Sequence, residues 1–508
     1  MTNLLFHNAR VLTMEPARPY AGAVAARDGR IVAAGDETEC ASALGTGVER
    51  IDCGGGTLLP AFIDAHCHLL SYAASLRSVD CTAARSIADV QQAVGERASQ
   101  TPPGAWVRAF GYEETSLAEG RHPNRRDLDA AAPGHPVRLV HRSGHASVLN
   151  SPALRLAGID SASEEPPGGA IDRELPSGEP SGLLLEMERA IDGATPPLGY
   201  EELAASVAEA SRRFLRAGAG CVQDASPTNG RAEWALFERL ISEDALPLDV
   251  VLMEGIEHLS ELPESAAGGR LRRGPIKIML HELGDGLSPD EGELARMIAE
   301  AHRAGRQVAV HAVEERAVAA AAAAIEAALR ARPRPAHRHR IEHCGLLPPG
   351  LAQRLAELGI VVVSQPSFVA ERGDRYLRLV PEEQQTRLYA FRTLGEAGVA
   401  LAAGSDAPVT APAPLASVAA AVERRSAAGA AVAPEQAVDR ETALRWWTAG
   451  AAHAAFLEGE RGALRAGLRA DLALLPGDAL DASPEELRSM RVAGLWLAGR
   501  RLSGQPRA

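Results

Sequence analysis

The sequence predicts an α/β protein: a (β/α)8 TIM barrel, a small β-sandwich domain formed by both termini, and a large insertion after strand one. Three observations support this prediction. Short apolar strand candidates alternate with helical patterns through the middle of the 508-residue chain, which is typical of parallel sheets. Both ends of the chain consist instead of short strand candidates. One long stretch between the first and second strand candidates of the middle interrupts the alternation.

The two ends of the chain have the same character. LLFHNARVLTM and GAVAARDGRIVAAGD near the start, and ADLALLPGD and VAGLWLAGRRLSG near the end, are alternating or apolar runs with Gly and Asp turns between them. We therefore predict that residues 1–58 and 460–508 form one terminal β-sandwich domain. Residues 59–459 are then the barrel domain, and 75–200 are an insertion that shapes the substrate pocket.

The middle of the chain offers eight strand candidates. Helical patterns such as EELAASVAEASRRFLRAG separate most of them. A doubly wound sheet usually has fewer strands and a glycine-rich first turn, which we do not find. A barrel is therefore favoured, with the strands AFIDAH, GCVQDA, LDVVLM, IKIML, QVAVHA, RIEHC, IVVVSQ and VALAAGSD.

The amino-acid composition indicates which partners to exclude and which cell compartment to expect. The net charge of −13 argues against nucleic acid or an anionic membrane as the main partner. Six scattered cysteines without a CxxC pair suit a reducing cytoplasm. No signal peptide or membrane-spanning stretch is recognisable. We expect a cytoplasmic protein that acts on a small molecule, and exposed sheet edges in the terminal domain are compatible with a homodimer.

Polar residues stand at the ends of several predicted strands. In a closed parallel barrel these ends open on one mouth, where active sites lie. Imidazoles and a carboxylate that converge there are typical ligands of a divalent transition metal, most often zinc. In the HxH of FIDAHCH the two histidines face the same side, so Cys67 points away and is assigned to packing. The candidates are His66, His68, Lys277, His311, His343 and Asp406.

Lys277 stands out by composition. The chain has 53 lysine and arginine residues, and Lys277 is the single lysine. A charged lysine inside the apolar strand IKIML is unfavourable unless it is paired or neutral. A neutral amine can take up CO2 and form a carbamate, an anionic ligand able to bridge two metals, and arginine cannot do this. The lone lysine and the metal ligands therefore indicate the same site.

These segments resemble the amidohydrolase superfamily. The resemblance rests on PAFIDAHCH, IKIML, VAVHA, RIEHC and AAGSDAP, while GHASVLNSPAL, SQP and GSDAPV are similar to the branch that contains N-substituted formamide deformylases. It implies a barrel with a β-sandwich from both termini. It also implies these roles: His66 and His68 bind a first metal, carbamylated Lys277 bridges, His311 and His343 bind a second metal, and Asp406 binds the first and accepts a proton.

Substrate contacts are predicted from the insertion and the strand ends. His145, in SGHASV, is the candidate catalytic donor that polarises the substrate carbonyl, or a substrate contact. Gln365 and Glu186 are weaker candidates. His281 and Glu314 lie in MLHELGDG and HAVEE, where this chain departs from the usual pattern of the branch.

The predicted function is hydrolysis of a non-peptide C–N bond, amide or N-acyl, of a small molecule by metal-activated water, with one or two zinc ions per chain and a CO2-derived carbamate on Lys277. Two alternatives stay open. HAVE, from His311 to Glu314, resembles the HxxE of zinc-dependent deaminases that act on amino-heterocycles. A non-catalytic barrel scaffold is the other alternative, although related scaffolds tend to have lost ligands that are all present here.

Overall fold

The structure is a computed structural model that describes residues 3–166, 168–187, 191, 193, 195–196, 198–266, 268–284 and 286–502. The chain divides into two compact units, Met1–His68 with Ser211–Ala508, and Leu69–Ala210. Each unit is considered by itself below.

The first unit contains an eight-stranded sheet in which every neighbouring pair is parallel. The strands follow one another in chain order, and each falls on one of the eight predicted strand candidates. The barrel prediction is therefore confirmed. The strands are β1 Phe62–Cys67, β2 Ala219–Asp224, β3 Asp249–Gly255, β4 Leu271–Met279, β5 Val308–Ala312, β6 Arg340–His343, β7 Val361–Ser364 and β8 Ala400–Ala403.

The barrel closes where the segment after β8 meets β1. The Asp406 N–H donates to the His66 carbonyl at 2.7 Å, and the His68 N–H donates to the Ala407 carbonyl at 2.8 Å. A Cβ at Gly404 would lie 2.5 Å from the backbone nitrogen of His66. Only glycine allows two backbones to approach so closely. Gly404 in AAGSD thus allows Asp406 to lie beside His66 of β1 and beside His68, which follows β1.

Amphipathic helices surround the barrel strands. Glu291–Arg303 is typical: the Asp290 side chain caps its start, and Leu294, Ile298 and Ala301 are buried at helical spacing. The other helices from the end of the insertion onward are Tyr200–Arg216, Arg231–Ser242, Glu315–Ala331, Leu351–Leu358, Ser367–Leu379, Glu382–Gln385, Phe391–Glu396, Pro414–Glu423, Arg440–Arg445, Ala451–Ala454 and Pro484–Ser489.

Strands from both ends of the chain share one sheet, as predicted. Phe6 from the start of the chain packs edge-on against Trp496 from its end, with ring centroids 4.9 Å apart. We retain 1–58 and 460–508 as the proposed bounds of this domain; residues 1, 2 and 503–508 lie outside the described residues. One sheet has the order Arg30–Gly35, Ala23–Arg27, Asn3–His7, Val48–Asp52, and the other Arg500–Arg501, Gly494–Leu497, Leu472–Leu475, Thr57–Pro60, Arg10–Leu12, Tyr20–Ala21.

The second unit, Leu69–Ala210, contains the predicted insertion 75–200 and has a sheet and a core of its own. Val90 and Val94 of one helix, Leu128 of another and Leu139 of a strand are fully buried together. The sheet order is Ala170–Arg173, Pro180–Leu185, Ala146–Leu149, Val137–His141, Val107–Tyr112, Val79–Asp80, and the helices are Leu69–Ser75, Ile87–Ser99, Arg125–Ala131 and Ser151–Ala157.

A network of buried histidines lies beside the starts of β5 and β6. The Val308 N–H donates to His339 Nδ1 at 3.0 Å, so the proton of a neutral His339 resides on Nε2. That Nε2 lies 2.9 Å from His302 Nδ1, and His302 Nε2 lies 2.7 Å from the Arg332 carbonyl. All the ring nitrogens of His302 and His339 can take part in these hydrogen bonds only if both histidines are neutral.

Acid is therefore expected to weaken the fold through His339. Burial, with smaller effects of His337 and Arg334, lowers the pKa of His339 to about 2, against about 6.5 in an unfolded chain. A lowered folded-state pKa gives stability that is present above pH ~6.5 and is lost as the pH falls below it; the loss reaches about 2 kcal/mol by pH ~5. Urea unfolding at pH 8 and at pH 5 should show that the His339→Asn variant loses less stability between the two pH values than the parent does. The half-buried His258, changed to Asn, should leave the loss equal to that of the parent. An equal loss in the parent and His339→Asn would contradict this account.

Candidate metal centre

Three predicted ligands meet where β1 and the segment after β8 converge. His66 lies in β1, and His68 follows it on the same side. Asp406 Oδ1 lies 3.1 Å from His68 Nε2 and 3.5 Å from His66 Nε2. One ligand atom from each of the three lies within 4.8 Å of the others. This is a compact set of two imidazoles and a carboxylate of the kind that binds zinc.

Two further histidines lie next to this set. His311 in β5 and His343 at the end of β6 have ring centroids 4.5 Å apart, and His343 is 4.9 Å from His66. His343 has φ 72° and Asp406 has φ 57°, both in the left-handed region. Non-glycine residues in that region cost about 1–3 kcal/mol and cluster at functional sites. The barrel therefore gathers the four predicted imidazoles at one mouth.

Lys277 lies in β4 and is 1% exposed. Burial lowers its pKa to about 8, although the charges of Glu342 and Asp406 oppose the decrease. The charge of Lys277 in turn contributes to lowering the pKa of His66 and His343, which places the amine among the histidines. An amine with this pKa is partly neutral near physiological pH, and the neutral form is the one that reacts with CO2.

Two histidine ring nitrogens at this site are available as metal ligands. His66 Nε2 and His343 Nε2 are buried and make no hydrogen bond within the described part of the chain. Burial lowers the pKa of His343, and burial with the charge of Lys277 lowers that of His66 to about 3, so both rings are neutral. A buried polar atom without a hydrogen bond costs about 1–3 kcal/mol. Neutral imidazoles with unused nitrogens beside a carboxylate fit a divalent metal.

The sequence reasoning missed three buried charged residues. Glu342 Oε2 lies 2.5 Å from His66 Nδ1, and Arg340 donates to the Glu342 carboxylate at 2.7 and 2.9 Å. Asp64 accepts the backbone N–H of His66 at 3.1 Å, and burial raises its pKa to about 7. A signal was present in RIEHC, because an arginine and a glutamate two residues apart in a buried strand must face the same side and pair.

Two predicted substrate residues contact predicted ligands. Gln365 follows β7, is fully buried, and its Oε1 lies 2.7 Å from His343 Nδ1. His281 lies in the short strand His281–Leu283, and its ring centroid is 5.0 Å from that of His311.

Three predicted site residues remain: Glu314, His145 and Glu186. Glu314 is exposed and immediately precedes the helix Glu315–Ala331. His145 and Glu186 belong to the second unit, where His145 Nδ1 lies 3.2 Å from the Glu186 carboxylate. Their contribution to the site in the barrel stays a prediction.

Comparison with known proteins now decides the family. A model of the amidohydrolase family matches residues 49–502. The chain belongs to this family. It is 31% identical to the N-substituted formamide deformylase of Arthrobacter pascens over 98% of both chains. As an amidohydrolase it is an enzyme of the predicted class, a metal-dependent hydrolase acting on C–N bonds other than peptide bonds.

Solved structures show the same fold. An uncharacterized metal-dependent hydrolase of Pyrococcus horikoshii superposes with a TM-score of 0.76 at 23% identity, covering 95% of this amidohydrolase and 99% of that chain. An uncharacterized metal-dependent hydrolase of Pyrococcus furiosus superposes with a TM-score of 0.72 at 25% identity, covering 94% of this amidohydrolase and 100% of that chain. Within the described residues of this amidohydrolase, we find no helix long and apolar enough to span a bilayer.

Proposed function

We propose that this amidohydrolase uses one or two zinc ions to hydrolyse the amide or N-acyl C–N bond of a small molecule. The observation that carries the proposal is the set of His66, His68 and Asp406, in which His66 and Asp406 are buried and His66 Nε2 has no hydrogen bond among the described residues. A neutral nitrogen kept unbonded beside an ionised carboxylate is suited to a cation.

The ligands divide into two groups. His66, His68 and Asp406 would hold the first metal, and His311 with His343 the second. Lys277, as its carbamate, would lie between them. When bound, the metal activates water and polarises the substrate carbonyl.

Asp406 is proposed to move the proton. Burial alone would raise its pKa, but the hydrogen bond from His68 and the neighbouring imidazoles bring the pKa well below its usual range. The carboxylate is therefore ionised at neutral pH and can accept a proton from the attacking water. It then delivers this proton to the leaving nitrogen, which must be protonated to depart as an amine.

Substrate contacts complete the proposal. His145 is the candidate donor to the carbonyl oxygen. Gln365, Glu186, His281 and Glu314 are the other candidates. The 31% identity to an N-substituted formamide deformylase makes N-formyl amines the first substrates to test.

The proposal also covers the compartment and the assembly state. All six cysteines are free and buried, which is consistent with a cytoplasmic enzyme. A homodimer stays a proposal.

The test combines metal analysis with a substrate panel. Purified protein should contain one to two zinc ions per chain, and a chelator should remove both zinc and activity until zinc is restored. The panel holds N-formyl and N-acyl amines, hydantoin-like rings and amino-heterocycles. Variant His66→Asn should lose zinc, while the control His258→Asn, at a half-buried histidine that pairs with Glu261, should retain it. Ammonia release from amino-heterocycles alone would favour a deaminase instead.

A further inference from the structure

A chain of buried side chains joined by hydrogen bonds, called the relay below, leads to His66. Arg340 is fully buried and donates twice to the Glu342 carboxylate. It also donates to Gln223 Oε1 at 2.6 Å, and Gln223 Nε2 donates to the Ala451 carbonyl at 2.9 Å. The proposed proton transfers do not use these groups. The relay ends at His66 Nδ1, 2.5 Å from Glu342.

Arg340 determines the direction of every hydrogen bond in this relay. A guanidinium has donors only, so Gln223 Oε1 and the Glu342 carboxylate must accept. A carboxylate paired with arginine through two hydrogen bonds stays ionised and has no proton to give. His66 Nδ1 must therefore carry a proton and donate it to Glu342. The lone pair of a neutral His66 is then on Nε2, which faces Asp406.

His343 lacks such a relay. Its Nδ1 contacts Gln365, whose amide can either accept or donate according to its orientation. Gln365 Nε2 makes no hydrogen bond in the described part of the structure, so this contact does not determine the amide orientation. The neutral amide therefore leaves both tautomers of His343 open, whereas the Arg340–Glu342 pair allows only one tautomer of His66.

We propose that Glu342, held by Arg340, is a positioning residue that fixes His66 as the tautomer with a free Nε2 before any metal binds. The apoenzyme then contains one metal ligand that needs neither proton loss nor ring rotation. The ionised Glu342 also strengthens the attraction of His66 for a cation, as carboxylate–histidine pairs do around zinc. This inference rests on the proposed metal site.

Variant Glu342→Gln tests the inference with little change in shape. The glutamine amide can donate to His66 Nδ1, which moves the proton of the neutral ring to Nε2. We expect the zinc affinity, measured by competition with a chelator, to fall roughly 10–100-fold. The matched control is Glu254→Gln: Glu254 is also fully buried in a barrel strand and paired with an arginine, Arg306, but it forms no hydrogen bond or ion pair with a histidine among the described residues. Its zinc affinity should equal that of the parent.

The outcomes separate the two proposals. If the parent binds zinc and Glu342→Gln binds it with the same affinity, the positioning role is wrong but the metal site stands. If Glu342→Gln and Glu254→Gln lose zinc affinity equally, the effect is a general loss of stability and the positioning role is also wrong. A parent that binds no zinc would overturn the proposed function as well. If Glu342→Gln does not fold, 15N-histidine spectra of the parent apoenzyme decide: the signals that are lost in His66→Asn should show the proton on Nδ1, and a proton on Nε2 would refute the inference.

Discussion

Lys277→Arg is expected to lower activity by on the order of 10³-fold or more and to reduce bound zinc. Arginine keeps the positive charge but cannot form a carbamate, so the proposed bridging oxygens are lost. Loss of several kcal/mol of metal-derived transition-state stabilisation corresponds to such a factor. Steady-state kinetics on the best substrate and metal analysis of the same preparation are the measurements.

Controls separate the carbamate from simple packing. Lys277→Met is neutral and similar in length, and should be as inactive as the arginine variant while remaining folded by circular dichroism. Addition of a short carboxylic acid to Lys277→Ala should restore part of the activity by supplying the missing oxygens. Because Lys277 is the only lysine, a 13C carbamate signal from labelled bicarbonate can otherwise arise only at the N-terminal amine. Activity and zinc content equal to those of the parent in Lys277→Arg would refute the carbamate. A deaminase with one metal ion would then be the favoured function.

Asp406→Asn is expected to lower kcat by roughly 10²–10⁴-fold, the usual contribution of a general acid–base group. Asparagine retains an oxygen that can contact a metal, but it cannot accept the proton of the attacking water. Zinc content should therefore fall much less than kcat. Kinetics and metal analysis on one preparation distinguish the two effects.

Asp249→Asn is the control for loss of a buried carboxylate. Asp249 begins β3, at the end of the strand opposite the proposed site, and pairs with Arg461 and Arg469. This variant should be less stable than the parent, yet its kcat should stay close to the parental value. A kcat in Asp406→Asn that equals that of the parent would exclude the proposed proton transfer.

Much of the barrel could be predicted because its signals are local. The eight strands are short apolar runs, and the hydrophobic effect buries such runs between the helices outside the barrel and the side chains that fill its interior. The polar residues His66, His311 and His343 end their strands, so a closed parallel barrel brings them to one mouth. The predicted fold alone therefore supported a metal site, although no contact between these residues was known from the sequence.

Other features depended on contacts between distant residues. Glu342 and His66 are 276 positions apart, and no local pattern indicates that they pair. The close approach that requires Gly404 also appears only when the segment after β8 meets β1. The second unit has a sheet and a core that its sequence did not predict in detail.

The sequence by itself determined the barrel, the residue types that end its strands and the single lysine, because hydrophobic periodicity and composition act within short segments. Only the tertiary structure decided that Glu342, paired with Arg340, lies next to His66 Nδ1, and that the backbone of the segment after β8 lies against that of β1 at Gly404. Those facts depend on the directions of hydrogen bonds and the approach of backbones between segments far apart in the chain, and a one-dimensional pattern does not contain either.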